Sequence, residues 1–189
     1  MKISKIIRFL FIPLLFVRRI CDEKWLPIIN ESGMVYGKIA YSQSRQMKNQ
    51  YLHPIIRIAL IHNGKIFLME KENLEANNRS CLDYPFERHI LYKEPIDKAI
   101  RKTFQSGDSK ADISCNYLFR YIHHSNEIRR LVYFYICNIR NDNLLNKINL
   151  NDGKWWTSKQ IKENLNTGLF SALFEKEFEF LESTVLMHP

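Results

Sequence analysis

The spacing of apolar residues changes several times along the chain, and each change marks an element. Residues 25–30 and 34–41 alternate apolar and polar positions around Glu31-Ser32-Gly33, which predicts a hairpin. Residues 55–61 and 65–69 flank Asn63-Gly64, a pair that tolerates the positive φ of a two-residue hairpin turn. After Pro95 the period lengthens. Ile96, Ala99, Ile100, Thr103 and Phe104 fall at i, i+3, i+4, i+7 and i+8, one face of a helix, with Pro95 at the start where a missing N–H costs nothing. Residues 117–122 and 131–139 are aromatic and β-branched, hence strands. Residues 158–165 and 169–181 return to a helical period, the second with Phe170, Leu173, Phe174, Phe178 and Leu181 inward. Strands interleaved with a few helices predict an α/β sandwich.

The chain has 189 residues, 46% hydrophobic and 13% aromatic, enough for one domain with a real core. No repeat or low-complexity linker divides it. Cys21, Cys81, Cys115 and Cys137 are scattered, with no CxxC pair, which argues against a zinc site or disulfide scaffold and fits a reducing, cytoplasmic compartment. Cys137, in an apolar strand, is expected to be a buried thiol. The 28 Lys and Arg exceed the 20 Asp and Glu, giving a net charge of +8. That excess favours anionic partners, either phosphorylated small molecules or an acidic membrane surface. No signature of sequence-specific nucleic-acid binding accompanies it.

Residues 1–22 differ in character. Residues 9–17 are an unbroken apolar run, bracketed by Lys2, Lys5 and Arg8 before and Arg18 and Arg19 after. A hydrocarbon core needs about 20 residues to cross, so this run does not span one. Two readings stay open: a helix packed on the domain or a partner, or residues 2–19 lying in the interface of the inner membrane face. The expected division is residues 1–22 as this segment, 23–183 as the domain and 184–189 as a tail.

Residues 82–110, LDYPFERHILYKEPIDKAIRKTFQSGDSK, have the layout of a loop–helix–loop phosphohydrolase site. They resemble the Nudix box, GX5EX7REUXEEXGU, with Arg88 at the opening Gly and Glu94 on the first Glu. Lys102, Thr103 and Phe104 then take the R-E-U positions, Ser106 and Gly107 the acidic pair, and Ser109 the second Gly. The flanks are similar to the isopentenyl-diphosphate-isomerase-like branch: EKWLPIINESGMVYGKIAYSQSR at residues 23–45, Leu52-His53-Pro54 with the strand after it, and GKWWTSKQIKENLNTGLFSALFEKEFEFL at residues 153–181. The resemblance spans residues 23–182 and implies a Nudix-type α/β/α sandwich with a mixed β-sheet.

Nudix hydrolases hold Mg²⁺ or Mn²⁺ on box glutamates three and four apart on one helical face, and the metal offsets phosphate charge and activates water. Thr103, Ser106 and Gly107 supply no carboxylate there, which removes about three negative charges from the place of a divalent cation. Lys102 is expected to keep its charge with no acid beside it, and Glu94 to act locally at the helix start. Of the isomerases' ligand set, His53 and His89 match histidines, but Glu87 stands at the Cys position and Ile128 and Arg130 at the Glu-x-Glu place. Both histidines are therefore expected at the surface or at strand ends. Arg57, Arg88, His89, Lys93, Lys102 and Arg130 are the candidates to line the old cleft and hold phosphate directly, without a cofactor.

The resulting expectation is a catalytically impaired Nudix-fold protein that binds a phospho-ligand or a partner. One alternative is an active hydrolase that draws carboxylates for Mg²⁺ or Mn²⁺ from Glu70, Glu72, Glu75 or Glu87. The other is a membrane-surface scaffold acting through residues 2–19.

Overall fold

Asn63 and Gly64 take φ of 50° and 70°, the left-handed pair that closes a tight hairpin, and the two long strands on either side set the frame. The computed structural model describes residues 23–47, 49–73, 79–104, 114–139, 148, 150 and 153–186. The expectations for residues 1–22, Glu75, Ser106, Gly107 and 187–189 lie outside those residues.

In chain order the elements are β1 (Trp25–Ile29), β2 (Val35–Ala40), α1 (Tyr41–Ser44), β3 (His53–His62), β4 (Lys65–Asn73), β5 (Arg79–Asp83) and β6 (Phe86–His89). They continue as α2 (Ile96–Phe104), β7 (Asn116–His124), β8 (Arg129–Asn138), β9 (Gly153–Thr157), α3 (Ser158–Lys162) and α4 (Ala172–Leu181), which runs on into a π-helical turn, Glu182–Leu186. Glu182 accepts from Ser158 and pairs with Lys162 at 2.9 Å, which ties the end of α4 to α3.

Seven strands form one mixed sheet in the order β5-β4-β3-β8-β7, with β6 also on β3 and β9 on β4. The β3–β8 pair is parallel, and the other pairs are antiparallel. Alternation along β3 sends its side chains to opposite faces. Ile56, Ile58 and Leu60 pack with Ala99, Ile100 and Phe104 of α2. Ala59 and Ile61 pack with Ile161 of α3 and Phe174, Phe178 and Leu181 of α4. The sheet is thus covered by helices on both sides, the expected α/β/α sandwich. Cys137 is buried in the α2-side core, as expected. The β1–β2 hairpin forms its own two-stranded sheet, tied to β3 through Ile29 N–H and Leu52 C=O at 3.1 Å.

Thr157 caps α3 in a complete capping box with Gln160, and Ser171 caps α4 by accepting from the Phe174 N–H. At Gly153 an added Cβ would lie 2.1 Å from the Phe67 ring and 2.8 Å from Leu68 O, so only glycine fits where β9 meets β4.

Candidate functional site

Arg57 lies on the odd, α4-facing side of β3 and has no exposed surface. Its Nε donates to both Glu177 oxygens at 3.0 Å, Nη2 donates to Asp83 Oδ1 at 2.6 Å, and Nη1 donates to Glu87. Glu87 is its cross-strand neighbour on β6. The other Glu87 oxygen accepts from Arg130, and Tyr121 Oη donates to Glu177 at 2.6 Å. Burial alone would raise the Glu87 carboxyl, but Arg57 and Arg130 overcome it and hold the group at about 2. For Glu177 burial dominates, and the carboxyl is pushed up to about 7 despite Arg57. Arg57 therefore does not line an open cleft, as the sequence had suggested. It is a buried counter-ion that keeps three inward carboxylates paired.

The box positions form a second ionic group. Glu94 accepts from Arg88 Nη2 at 3.0 Å, from Lys102 Nζ at 3.0 Å and from the Leu91 N–H at 3.1 Å. Burial works against the charged carboxyl. The Leu91 N–H, Lys102 and Arg88 outweigh it and lower the pKa. Lys102 thus does have an acid beside it, contrary to expectation, because a long side chain reaches back two helical turns to the loop. Thr103 donates to Ala99 C=O at 2.9 Å within its own helix. A divalent cation at Glu94 would meet two cationic groups and an engaged hydroxyl, so these residues do not fit a box metal. Among the described residues no group of three or more His, Cys, Asp or Glu is placed to hold a metal ion. Lys93 stands exposed over the Tyr92 ring at 5.6 Å, away from both ionic groups.

Two cavities open on either side of Arg130. The first, about 300 Å³, lies among Lys71, Asp83, Glu87, Arg130 and the start of α4. Its lining carries the carboxylates of Glu72, Asp83 and Glu87 against Lys71 and Arg130, and burial lowers the Lys71 ammonium. The second, about 310 Å³, is bounded by Tyr41, Arg45, His53, His89, Glu127 and the Arg129-Arg130 pair. It sits at the open end of the sheet, where the parallel strands β3 and β8 both begin and place His53 beside Arg130. Three guanidinium groups and one carboxylate line it, but Arg129 is paired with Glu31 and Arg130 with Glu87, so Arg45 is the lining guanidinium not drawn to either of those acids.

Both histidines are held neutral. Burial lowers His53, more than its bond to the Pro27 carbonyl raises it, and Arg130 lowers it further. Burial and Arg130 push His89 down to about 4. A carbonyl only accepts, so His53 Nδ1, 2.8 Å from Pro27 O, carries the proton and Nε2 keeps its lone pair. His89 Nδ1 is buried with no hydrogen-bond partner among the described residues. His53, buried, opens β3 and His89, half-buried, closes β6, so both stand at strand ends, one of the two placements expected from sequence.

Of the predicted candidates, the structure brings His89 and Arg130 together at this cavity. Arg88 and Lys102 go to Glu94, Arg57 goes beneath the sheet, and Lys93 stands apart. Sequence reasoning missed Arg45 and Arg129, which flank the cavity only after the chain has folded around β3. It also missed Glu177, although that residue falls on the same helical stripe as Phe170, Leu173, Phe174 and Leu181 and so signalled a buried acid needing a cation.

Neither a protein-family model nor a curated protein matches the chain. Solved structures do. The DR0079 protein of Deinococcus radiodurans aligns with a TM-score of 0.59 at 13% identity, over 82% of this chain and 98% of that one. A MutT protein from Methanosarcina mazei Go1 aligns at 0.51 and 11% identity, over 70% and 94%. A NUDIX hydrolase from Nitrosomonas europaea reaches 0.49 at 13% identity, over 69% and 88%. At such identities the likeness concerns the fold, and the first two alignments carry it. The mixed sheet between helices is a Nudix-type α/β fold.

Proposed function

We propose that this Nudix-fold protein binds a phosphorylated small molecule in the cavity beside Arg130 and does so without a box-held divalent metal. The observation that carries the reading is the cavity's donor set: Arg45, with the paired guanidinium groups of Arg129 and Arg130 beside it and two neutral histidines in its wall. Guanidinium groups bind phosphate as charge-assisted, often bidentate donors, and neutral imidazole adds donors and acceptors without repelling them. His53, His89, Ile128 and Arg130 line this cavity and Glu87 pairs with Arg130, so the positions that the isomerase-like resemblance singles out in the sequence are neighbours here. There, a guanidinium now stands where the resemblance puts a carboxylate.

Impaired hydrolysis follows from the same residues. Glu94 is held by Arg88, Lys102 and a backbone N–H, and Glu87 by Arg57 and Arg130, so neither carboxylate is free to ligate a cation. That weighs against the alternative in which Glu87 joins Glu70 and Glu72 around Mg²⁺ or Mn²⁺.

The test is binding and turnover on one panel: inorganic pyrophosphate, nucleoside diphosphate conjugates and prenyl diphosphates, each with EDTA and with Mg²⁺ or Mn²⁺. Binding in EDTA that weakens roughly ten- to a hundredfold in Arg45→Ala is expected, the loss of one charged hydrogen-bond donor. Metal-dependent turnover abolished by Glu94→Gln would overturn the reading.

A further inference from the structure

We infer that the outer face of the β1–β2 hairpin is a docking surface for an anionic lipid bilayer, independently of any ligand at the Arg130 cavity. In this hairpin Leu26, Ile28 and Ile39 turn inward and pack together. By alternation Tyr36 and Lys38 turn outward. Met34 is 67%, Val35 50% and Tyr36 67% exposed, a consecutive apolar run at the turn end of the hairpin, and Trp25, opposite Ala40 at its other end, is 38% exposed; the other described residues leave both uncovered.

The cations on this face are interleaved with its rings. Lys38 Nζ lies 4.5 Å from the Trp25 ring centroid and 5.4 Å from that of Tyr92, and Lys93 Nζ lies 5.6 Å from Tyr92. Two of the three acids nearby are paired with other cations, and the third is hydrogen-bonded to a serine. Glu23 accepts from Ser42, Glu31 from Arg129, and Glu94 from Arg88 and Lys102. Neither Lys38 nor Lys93 makes an ion pair with a described residue. Tryptophan and tyrosine beside lysines suit the headgroup level of a membrane, where amphipathic rings meet acyl chains and ammonium groups meet lipid phosphates and carboxylates.

Continuity with the rest of the chain selects lipid over another occupant. Residues 1–22 end immediately before this hairpin, and their sequence repeats its chemistry: an apolar run at 9–17 between Lys2, Lys5, Arg8, Arg18 and Arg19. A second copy docked on the same face through a two-fold axis would gather Lys38 and Lys93 of both copies into one interface. An acidic bilayer attracts both.

The experiment uses the full chain with phosphatidylserine-containing and pure phosphatidylcholine vesicles, read by flotation and by quenching of tryptophan emission with bromine-labelled acyl chains. The expected result is flotation with the anionic vesicles and quenching that falls in Trp25→Phe. The double variant Lys38→Glu/Lys93→Glu should lose roughly tenfold or more in vesicle affinity, given about fivefold per surface cation. Val35→Ser/Tyr36→Ser should also weaken binding, while both variants melt like the parent without lipid. Hairpin variants that bind like the parent would overturn the inference by leaving residues 1–22 as the sole anchor. So would a lowered lipid-free melting temperature, which means those residues cover the hairpin in the same chain. A lipid-free dimer dissolved by the same substitutions would overturn it in favour of a second copy.

Discussion

Arg57→Met removes a fully buried guanidinium from the centre of Asp83, Glu87 and Glu177 and keeps the apolar stem. Before the change Arg57 pairs with all three carboxylates; afterwards Glu87 keeps Arg130, Asp83 and Glu87 keep Lys71 nearby, and Glu177 loses its guanidinium. Removing one partner from a buried ionic group costs about 3–5 kcal/mol, because the other charges remain out of water. Against a total stability of about 5–15 kcal/mol that is a large fraction. For a domain of this size it lowers the melting temperature by roughly 6–20 °C. Glu177 moderates the loss, since burial already raises it to about 7 and it can take a proton. The deficit should therefore be larger at pH 8 than at pH 6. Arg57→Met/Glu177→Leu should recover roughly 1–3 kcal/mol relative to the sum of the single changes, because residues in one ionic network couple. Urea unfolding followed by intrinsic fluorescence measures all three proteins. A single-variant cost below about 1 kcal/mol, or strict additivity, would refute the assignment of Arg57 as the counter-ion of the core.

Other consequences follow from single sites. Gly153→Ala drives a methyl into the Phe67 ring and should cost about 1–3 kcal/mol of unfolding free energy, read by the same urea titration. His89 is held down at about 4, so its contribution to stability is full above 6.5 and lost as pH falls through 4. The stability of the parent relative to His89→Gln should shrink by up to about 3 kcal/mol across that window, a difference that cancels the opposite trend of Glu177. Glu94→Gln removes the shared acceptor of Arg88, Lys102 and the Leu91 N–H, and should cost about 1–2 kcal/mol of stability while leaving pyrophosphate affinity unchanged.

The fold was legible where local chemistry sufficed. The Asn63-Gly64 turn, the alternation of β1 and β2 and the 3.6-residue stripe of α2 each follow from their own residues. The short strands β5 and β6 were not legible as strands, since four or five residues with Asp83, Glu87 and Arg88 among them look like a polar loop. Their strand form comes from pairing with β4 and β3. The site was harder for the same reason. Whether Arg57 meets solvent or three carboxylates depends on α4 closing over β3, a contact 120 residues away along the chain. Arg45 and Arg129 likewise become neighbours only across the end of the sheet. Lys102 looked unpaired because Glu94 lies eight residues before it, beyond the usual three- and four-residue spacing of helical ion pairs.

The central claim is that phosphate is held by guanidinium groups rather than through a metal. Calorimetric titration of the full chain with inorganic pyrophosphate in excess EDTA tests it most directly. The account predicts saturable binding that persists without divalent ions and strengthens as pH falls toward the range where the two depressed cavity histidines take protons, since bound anion raises them. It also predicts that binding weakens in Arg45→Ala. Binding that appears only when Mg²⁺ or Mn²⁺ is restored, or that Arg45→Ala leaves untouched, would contradict it.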